Sequence, residues 1–394
     1  MKEKYFLLPL LFLGQIMQSC NSSGGGDSAS DSLFDITVSL NTSDSLKDYL
    51  IPVDLLALDQ SFTVRHDEEL VPIQLDDRNN NGVADKLFVM IDLPEGGTKT
   101  LHAIPGEPTA QKSQIQLLAA LPGGEHVDQL TFPVEHDLQL GGIVMENEWL
   151  AYRLLSFPPY NFDIIGKVYP ELILDTIQSE LSILKKWGGD ILDESNSLGI
   201  ASPAIYNFDK VAPFDQFDSR EVTVRSKGPL YAEVYQLIKG VPIRGERIDV
   251  GITWSMQANK HWAQVEIELL STTNLNLQFA FGLPRHEEAD AFIQGKKGST
   301  QFAYTYGLQS EQGEQLGMAV MVPEIYDLDL YRDDPHNHFF MTLPVNNKVQ
   351  YRYLAAWVKG RLTIFDEVDF VGLIRKYAQE YSVQPTTMVK YANR

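Results

Sequence analysis

Cysteine occurs once in the 394 residues, at Cys20, so the chain can form neither an internal disulfide framework nor a cysteine-ligated metal centre. Histidine is scarce, with eight residues, and no HExxH pair is present, which leaves a zinc-protease reading without support. A glycine-rich phosphate loop and a G-x-S-x-G elbow are also missing, so nothing points to nucleotide binding or serine-hydrolase chemistry. Basic residues are few: 32 Lys and Arg stand against 53 Asp and Glu, giving a formal charge of −21. A field of that sign opposes binding to nucleic acid or to an anionic membrane surface. Any anionic partner must therefore be held by a local basic cluster.

The N-terminus carries Lys2 and Lys4, then an apolar run from Phe6 to Leu13, then Met17-Gln18-Ser19-Cys20. That order predicts a cleavable signal peptide over residues 1–19, too short to span a bilayer and stay there. A cysteine at the processing boundary is placed for lipidation, although Gln18 stands where a smaller residue is usual. Residues 20–32, rich in Ser and Gly, read as the lipidated flexible tether. The expected location is the outer membrane, with contact through the lipid anchor only, because Asn21 is not the aspartate associated with inner-membrane retention.

Beyond the tether, period-two alternation dominates. Leu230 to Ile238, Arg247 to Trp254 and Trp262 to Leu269 each alternate apolar with polar residues across short connections, which predicts a wide antiparallel sheet. Helical spacing is confined to Pro170 to Lys186 and Glu367 to Glu380. The expectation is a mainly β chain: a small N-terminal β module with its connection over residues 33–130, then one large antiparallel β-sandwich over 131–394 with few peripheral helices. The larger unit is expected to be the catalytic domain.

Several local patterns carry chemistry. Asp77, Asn79, Asn81, the carbonyl of Val83 and Asp85, with Gly82 at the sixth position, match the first part of a calcium loop. Phe88 occupies the twelfth position, where a complete loop has an acid, so a structural calcium and an ion-free Asx-rich turn both stay open. No other cofactor is required. In Tyr331-Arg332-Asp333-Asp334-Pro335-His336-Asn337-His338 the chain brings a phenol, a guanidinium and two imidazoles to the start of a strand. Tyr152 and Arg153 interrupt another apolar strand and are followed by Lys167, Trp187 and Asp190, while Arg285 and His286 follow a Gly-Leu-Pro turn. For the histidine segment the plain reading is a polar loop whose histidines hydrogen-bond backbone; Arg153 is either a solvent-facing residue or an arginine paired in a cleft beside aromatics.

From Phe34 to the C-terminus the chain resembles a family of unknown-function domains found in envelope proteins of polysaccharide-degrading bacteria. The stretches that carry the resemblance are Asp77 to Asp85 with Leu87-Phe88, Glu146 to Arg153, Trp187 to Asp190 with Ser197-Leu198-Gly199, and Asn337-His338 with the strand to Trp357. The segment Leu184-Lys185-Lys186 departs from it, where an aromatic and a histidine are expected. The resemblance implies a relative of the galactose-mutarotase-type super-sandwich and, through a member that is an ulvan oligosaccharide dehydratase, removal of water from a terminal uronate. Chemically such a reaction needs a carboxylate clamp, a base at C5 and a proton for the departing 4-hydroxyl. The residues set against those roles are Arg153 or Arg332 as clamp, His338 as base and Tyr152 or Tyr331 as acid. Lys167, Trp187, Asp190, His286, His336 and Asn337 are set as substrate contacts. The implied partner is an anionic oligosaccharide; a non-catalytic glycan-binding lipoprotein and a two-carboxylate glycoside hydrolase are the alternatives.

Overall fold

The computed structural model describes residues 32–392 except 57, 59, 109–110, 134–137, 178–184, 193–195, 290 and 362–363. The segment expected to be a signal peptide, Cys20, and all but Ser32 of the expected tether lie outside the described residues. Among those described, no helix is long and apolar enough to cross a membrane.

The expected alternation becomes a nine-stranded antiparallel sheet. Its central strands, Tyr231–Ile243, Glu246–Gln257, Trp262–Leu269 and Lys348–Trp357, lie side by side in that order. One set of alternate residues, including Val234, Ile252, Trp254, Val265, Ile267, Tyr351 and Tyr353, forms the main core. Opposite it lie two five-stranded sheets, one built around Leu150–Leu155 and Phe162–Lys167, the other around Phe279–Pro284 and Asn337–Thr342. Aromatic rings interlock across the layers: Phe162 stacks on Trp254 at 5.0 Å and Phe281 on Tyr351 at 4.0 Å. Each such side chain removes roughly 150–250 Å² from water, so the sandwich is welded chiefly by apolar burial.

The other face of the large sheet is covered by two different elements. The helix Glu367–Ser382 is N-capped by Asp366, which accepts from the amide of Asp369 at 3.0 Å. It lays Phe370, Ile374 and Tyr377 over Phe302, Tyr304 and Leu354. Beside it sits the small module, a five-stranded and a three-stranded sheet closed on their own core of Phe34, Ile36, Ile51, Leu87, Val89 and Leu101. The module is not contiguous in sequence. The last strand, Thr386–Tyr391, pairs with Phe34–Ser39 through six residue pairs, an edge strand too polar in its alternation to be read as one beforehand.

The helical spacing of Pro170 to Lys186 yields, in the part described, only the single turn Leu174–Thr176. The carboxylate of Glu146 accepts from the amides of Ile173 (2.9 Å) and Leu174 (3.0 Å), fixing the segment as a loop against the sheet.

One buried amide makes the densest set of hydrogen bonds between the module and the sheet. Gln74 donates to Ser226 Oγ (2.6 Å) and to the carbonyl of Tyr231 (3.0 Å), and its Oε1 accepts from the amides of Leu230 and Tyr231, both at 2.8 Å. Gln74→Leu keeps the apolar volume but orphans those backbone groups. A buried polar group left without its partner costs about 1–3 kcal/mol. Chemical denaturation should show a stability loss of at least about 2 kcal/mol for Gln74→Leu; an unchanged midpoint would mean that the junction does not carry the docking.

Candidate functional site

Between module, helix and sheet opens a cleft of about 400 Å³. Its floor is the set of alternate residues that faces away from the core. Register places Glu233 opposite Ser255, Ser255 opposite Gln264, and Gln264 opposite Arg352, so one polar row crosses four adjacent strands. Strands lie about 4.8 Å apart, and the row is therefore long enough to lie beneath more than one sugar-sized group.

Arg352 is held in an unusual way. Its guanidinium carbon lies 3.8 Å from the ring centre of Trp262 and 4.0 Å from that of Tyr381, between two aromatic faces. Its Nε donates to Gln264 Oε1 at 2.9 Å. Among the described residues no carboxylate lies within ion-pair range of it. Burial lowers the pKa of Arg352, with Tyr381 and Glu380 opposing the shift, but a guanidinium stays charged in a protein. The result is a flat cation with its terminal amino groups left for a ligand.

At the other end of the row Glu233 is enclosed. It receives the hydroxyl of Tyr231 at 2.7 Å and a terminal nitrogen of Arg78 at 3.2 Å, with Arg225 at 3.7 Å. Tyr231 in turn stacks on Phe88 of the module, 4.5 Å between ring centres. Lys260 pairs with Glu380 at 2.8 Å and donates to the carbonyl of Lys47, again tying sheet, helix and module together. Burial lowers the pKa of Lys260 and Glu380 opposes that shift. Five cationic side chains, Lys47, Arg78, Lys86, Lys260 and Arg352, line the cleft against two carboxylates, Glu233 and Glu380. In a chain of charge −21 this is the local basic cluster that an anionic partner would need.

The calcium-like loop borders this cleft. Asp77 accepts from the amides of Asn81 (3.1 Å) and Gly82 (2.6 Å), Asn81 Oδ1 from Val83 (2.8 Å), and Asp85 from Arg78 (3.1 Å) and Asn79 (3.2 Å). The turn thus closes on its own amides and presents Arg78 to Glu233, while Phe88 is committed to the cleft wall.

The residues singled out in sequence fall elsewhere. Tyr152 is sealed in the main core, donating to the carbonyl of His261 (2.7 Å) and accepting from the amide of Ala355 (2.8 Å). Arg153 points to the opposite face of its strand, where it is paired with Asp163 and Asp190. Neither shares a cleft with His338, contrary to expectation, because the strand is buried on both faces and its polar residues serve the sandwich itself. Lys167 is fully buried and paired with Glu146, and Trp187 packs with Leu118, Leu140 and Ile165.

A second, smaller pocket of about 280 Å³ lies at one of the five-stranded sheets and does bring Tyr331, Arg332 and His338 together, with Arg285. His338 stacks on Phe292 at 4.7 Å, nearly parallel, and its Nδ1 is 3.4 Å from Arg285. Tyr331 donates to the carbonyl of Asp209 at 2.6 Å. Asn337 is buried, donating to Asp334 and accepting from the amide of Leu198, both at 2.9 Å. His336 is exposed and His286 half-buried, and neither lines this pocket. This sheet packs against the face of the large sheet that is opposite the cleft.

Comparison with known proteins gives one family and distant structures. The family described as "Domain of unknown function (DUF4861)" matches residues 41–387. No curated protein matches the chain. Among solved structures it is similar to an alpha-mannosidase from Enterococcus faecalis V583, with a TM-score of 0.47 and 8% identity over 91% of this chain and 46% of that one. A glycosyl hydrolase family 38 protein from Enterococcus faecalis gives 0.42 and 9%, over 91% and 47%. A Klebsiella pneumoniae protein assigned as an aldose 1-epimerase gives 0.30 and 8%, over 68% and 96%. The chain spans about half the length of the two Enterococcus proteins.

The two sites are separable by mutation. With the chemistry in the cleft, His338→Gln should change turnover by less than about tenfold; a loss of about a hundredfold or more, the scale of a missing general base, would move catalysis to the smaller pocket.

Proposed function

As a chain that belongs to the DUF4861 family, this protein is, we propose, a carbohydrate-active lyase: a dehydratase that removes water from a non-reducing-end uronate of an oligosaccharide. Oligosaccharides of ulvan type are the substrate that the sequence resemblance implies. The observation that carries the reading is Arg352, a planar cation gripped by Trp262 and Tyr381 and free of carboxylate partners among the described residues. A guanidinium so placed can take both oxygens of a carboxylate in parallel, while Trp262 and Tyr381, both buried, fix its plane.

The chemistry follows from that contact. Loss of the proton at C5 puts charge into the adjacent carboxylate, and a fixed cation aimed at those oxygens stabilises the dianionic intermediate more than the ground state. A hydrolase working with two carboxylates would need one of them to hold a proton for the leaving group. Both carboxylates of the cleft, Glu233 and Glu380, already face cations, which favours the lyase over the hydrolase. The same proposal keeps Cys20 as the point of lipid attachment to the outer membrane.

Purified protein incubated with saturated uronate-ended oligosaccharides should give a product lighter by one water, with a conjugated double bond absorbing in the near ultraviolet. Arg352→Lys keeps the charge but not the fork, and should lower kcat/KM at least about tenfold, the scale of one lost charge-assisted hydrogen bond. Unchanged mass with every uronate tried would overturn the assignment.

A further inference from the structure

Building on the dehydratase reading, we propose that Tyr49, contributed by the small module, is the catalytic residue that takes the C5 proton and hands it to the departing 4-hydroxyl, so that the enzyme acts on uronates whose C5–H and C4–O bonds lie on the same face of the ring.

The backbone is built to aim this side chain. Tyr49 stands on the strand Leu46–Asp54, immediately after a break in its pairing with Lys86–Leu93: Leu46 pairs with Leu93, but Tyr49 pairs with Ile91. The extra residue is absorbed at Asp48, which adopts a left-handed conformation at φ 50°, a cost that a bulge beside a binding site characteristically carries. Asp48 is pinned from both sides. Its amide donates to Asp92 at 2.8 Å within the module, and its carboxylate accepts from Asn259 at 3.2 Å on the sheet. The bulge re-aims the following residue into the cleft wall.

Comparison among the histidines, carboxylates and tyrosines leads to the same residue. No histidine lines the cleft among the described residues. Glu233, Glu380 and Lys260 are held in ion pairs. Of the three tyrosines that line it, Tyr231 gives its hydroxyl to Glu233, and the hydroxyl of Tyr381 is sealed from solvent. Tyr49 is partly exposed, and its hydroxyl has no hydrogen-bond partner among the described residues. It lines the same cleft as Arg352, the carboxylate clamp. C5 is bonded to the carboxylate carbon, so a uronate clamped by Arg352 holds C5 inside the cleft that Tyr49 lines.

One residue suffices for the proton balance. The Tyr49 phenolate takes the proton from C5; the C–H electron pair becomes the C4=C5 double bond; the C4–O bond breaks with its pair; and the phenol returns the proton to that oxygen, releasing water and restoring the phenolate. A proton next to a carboxylate is weakly acidic, so a strongly basic phenolate suits it better than a carboxylate does. Burial raises the Tyr49 pKa above the ordinary tyrosine value, with Arg352 opposing. The active phenolate is therefore a minor species at neutral pH, and turnover should rise as pH rises towards that pKa. Because one oxygen serves both C5 and O4, the two bonds must be cis, as in glucuronate, and not trans, as in galacturonate.

The test compares wild type and Tyr49→Phe on glucuronate-ended and galacturonate-ended oligosaccharides across pH, with folding checked by circular dichroism. The expected result is unsaturated product from the gluco substrate only, a rate rising with pH up to the Tyr49 pKa, and a loss of at least about a hundredfold in Tyr49→Phe. Tyr49→Phe as active as wild type, or faster elimination from the galacto substrate, would overturn the role of Tyr49 while leaving the dehydratase reading in place. Wild type that leaves both substrates intact would overturn the two together.

Discussion

The cleft exists because the small module is docked on the polar side of the large sheet, and that docking turns on satisfying buried polar groups. Glu233, Ser255, Gln264 and Arg352 form a row that an apolar partner could not cover without leaving donors and acceptors orphaned. Gln74 meets the backbone at Leu230 and Tyr231, Arg78 meets Glu233, and Asp48 meets Asn259. Between these contacts the surfaces do not close. The remaining gap is the cleft proposed as the site, and its walls come from the module, the sheet and the helix. With the proposed function placed in that cleft, the module contributes to the working unit.

Electrostatics follow from the same geometry. Long-range repulsion from a chain of charge −21 would hold an anionic sugar away. Cations gathered in a partly enclosed cleft offset it, because charges there are screened less by water and salt than on the open surface. Arg352 gains most from this placement. Two aromatic faces fix the plane of its guanidinium and shield both sides of it from water, and Gln264 occupies only its Nε.

How far the sequence foretold this differs from element to element. The alternation in Leu230 to Ile238 and Trp262 to Leu269 identified the strands, and their inward residues form the core as expected. The same alternation carried Glu233, Gln264 and Trp262 on the outward face, but a polar residue facing water and one facing a cleft look alike until it is known what covers the sheet. That cover comes from residues far away in sequence, Tyr49 and Arg78 at one end of the chain and Tyr381 at the other. Tyr152 and Arg153 misled for the converse reason. Polar side chains amid apolar sequence drew attention, yet one satisfies backbone groups in the core and the other an ion pair behind it. The cluster before His338 was legible as a cluster, since Tyr331, Arg332 and His338 do share a pocket, though on the opposite side of the sandwich from the cleft.

In the proposed function an acidic sugar binds in the sheet cleft, its carboxylate on Arg352. A crystal structure of Tyr49→Phe soaked with a glucuronate-ended oligosaccharide tests it most directly. The expected result is the uronate carboxylate paired with Arg352 between Trp262 and Tyr381, with C5 facing residue 49. A sugar bound instead in the pocket of His338 and Arg332, with the cleft occupied by solvent, would contradict it.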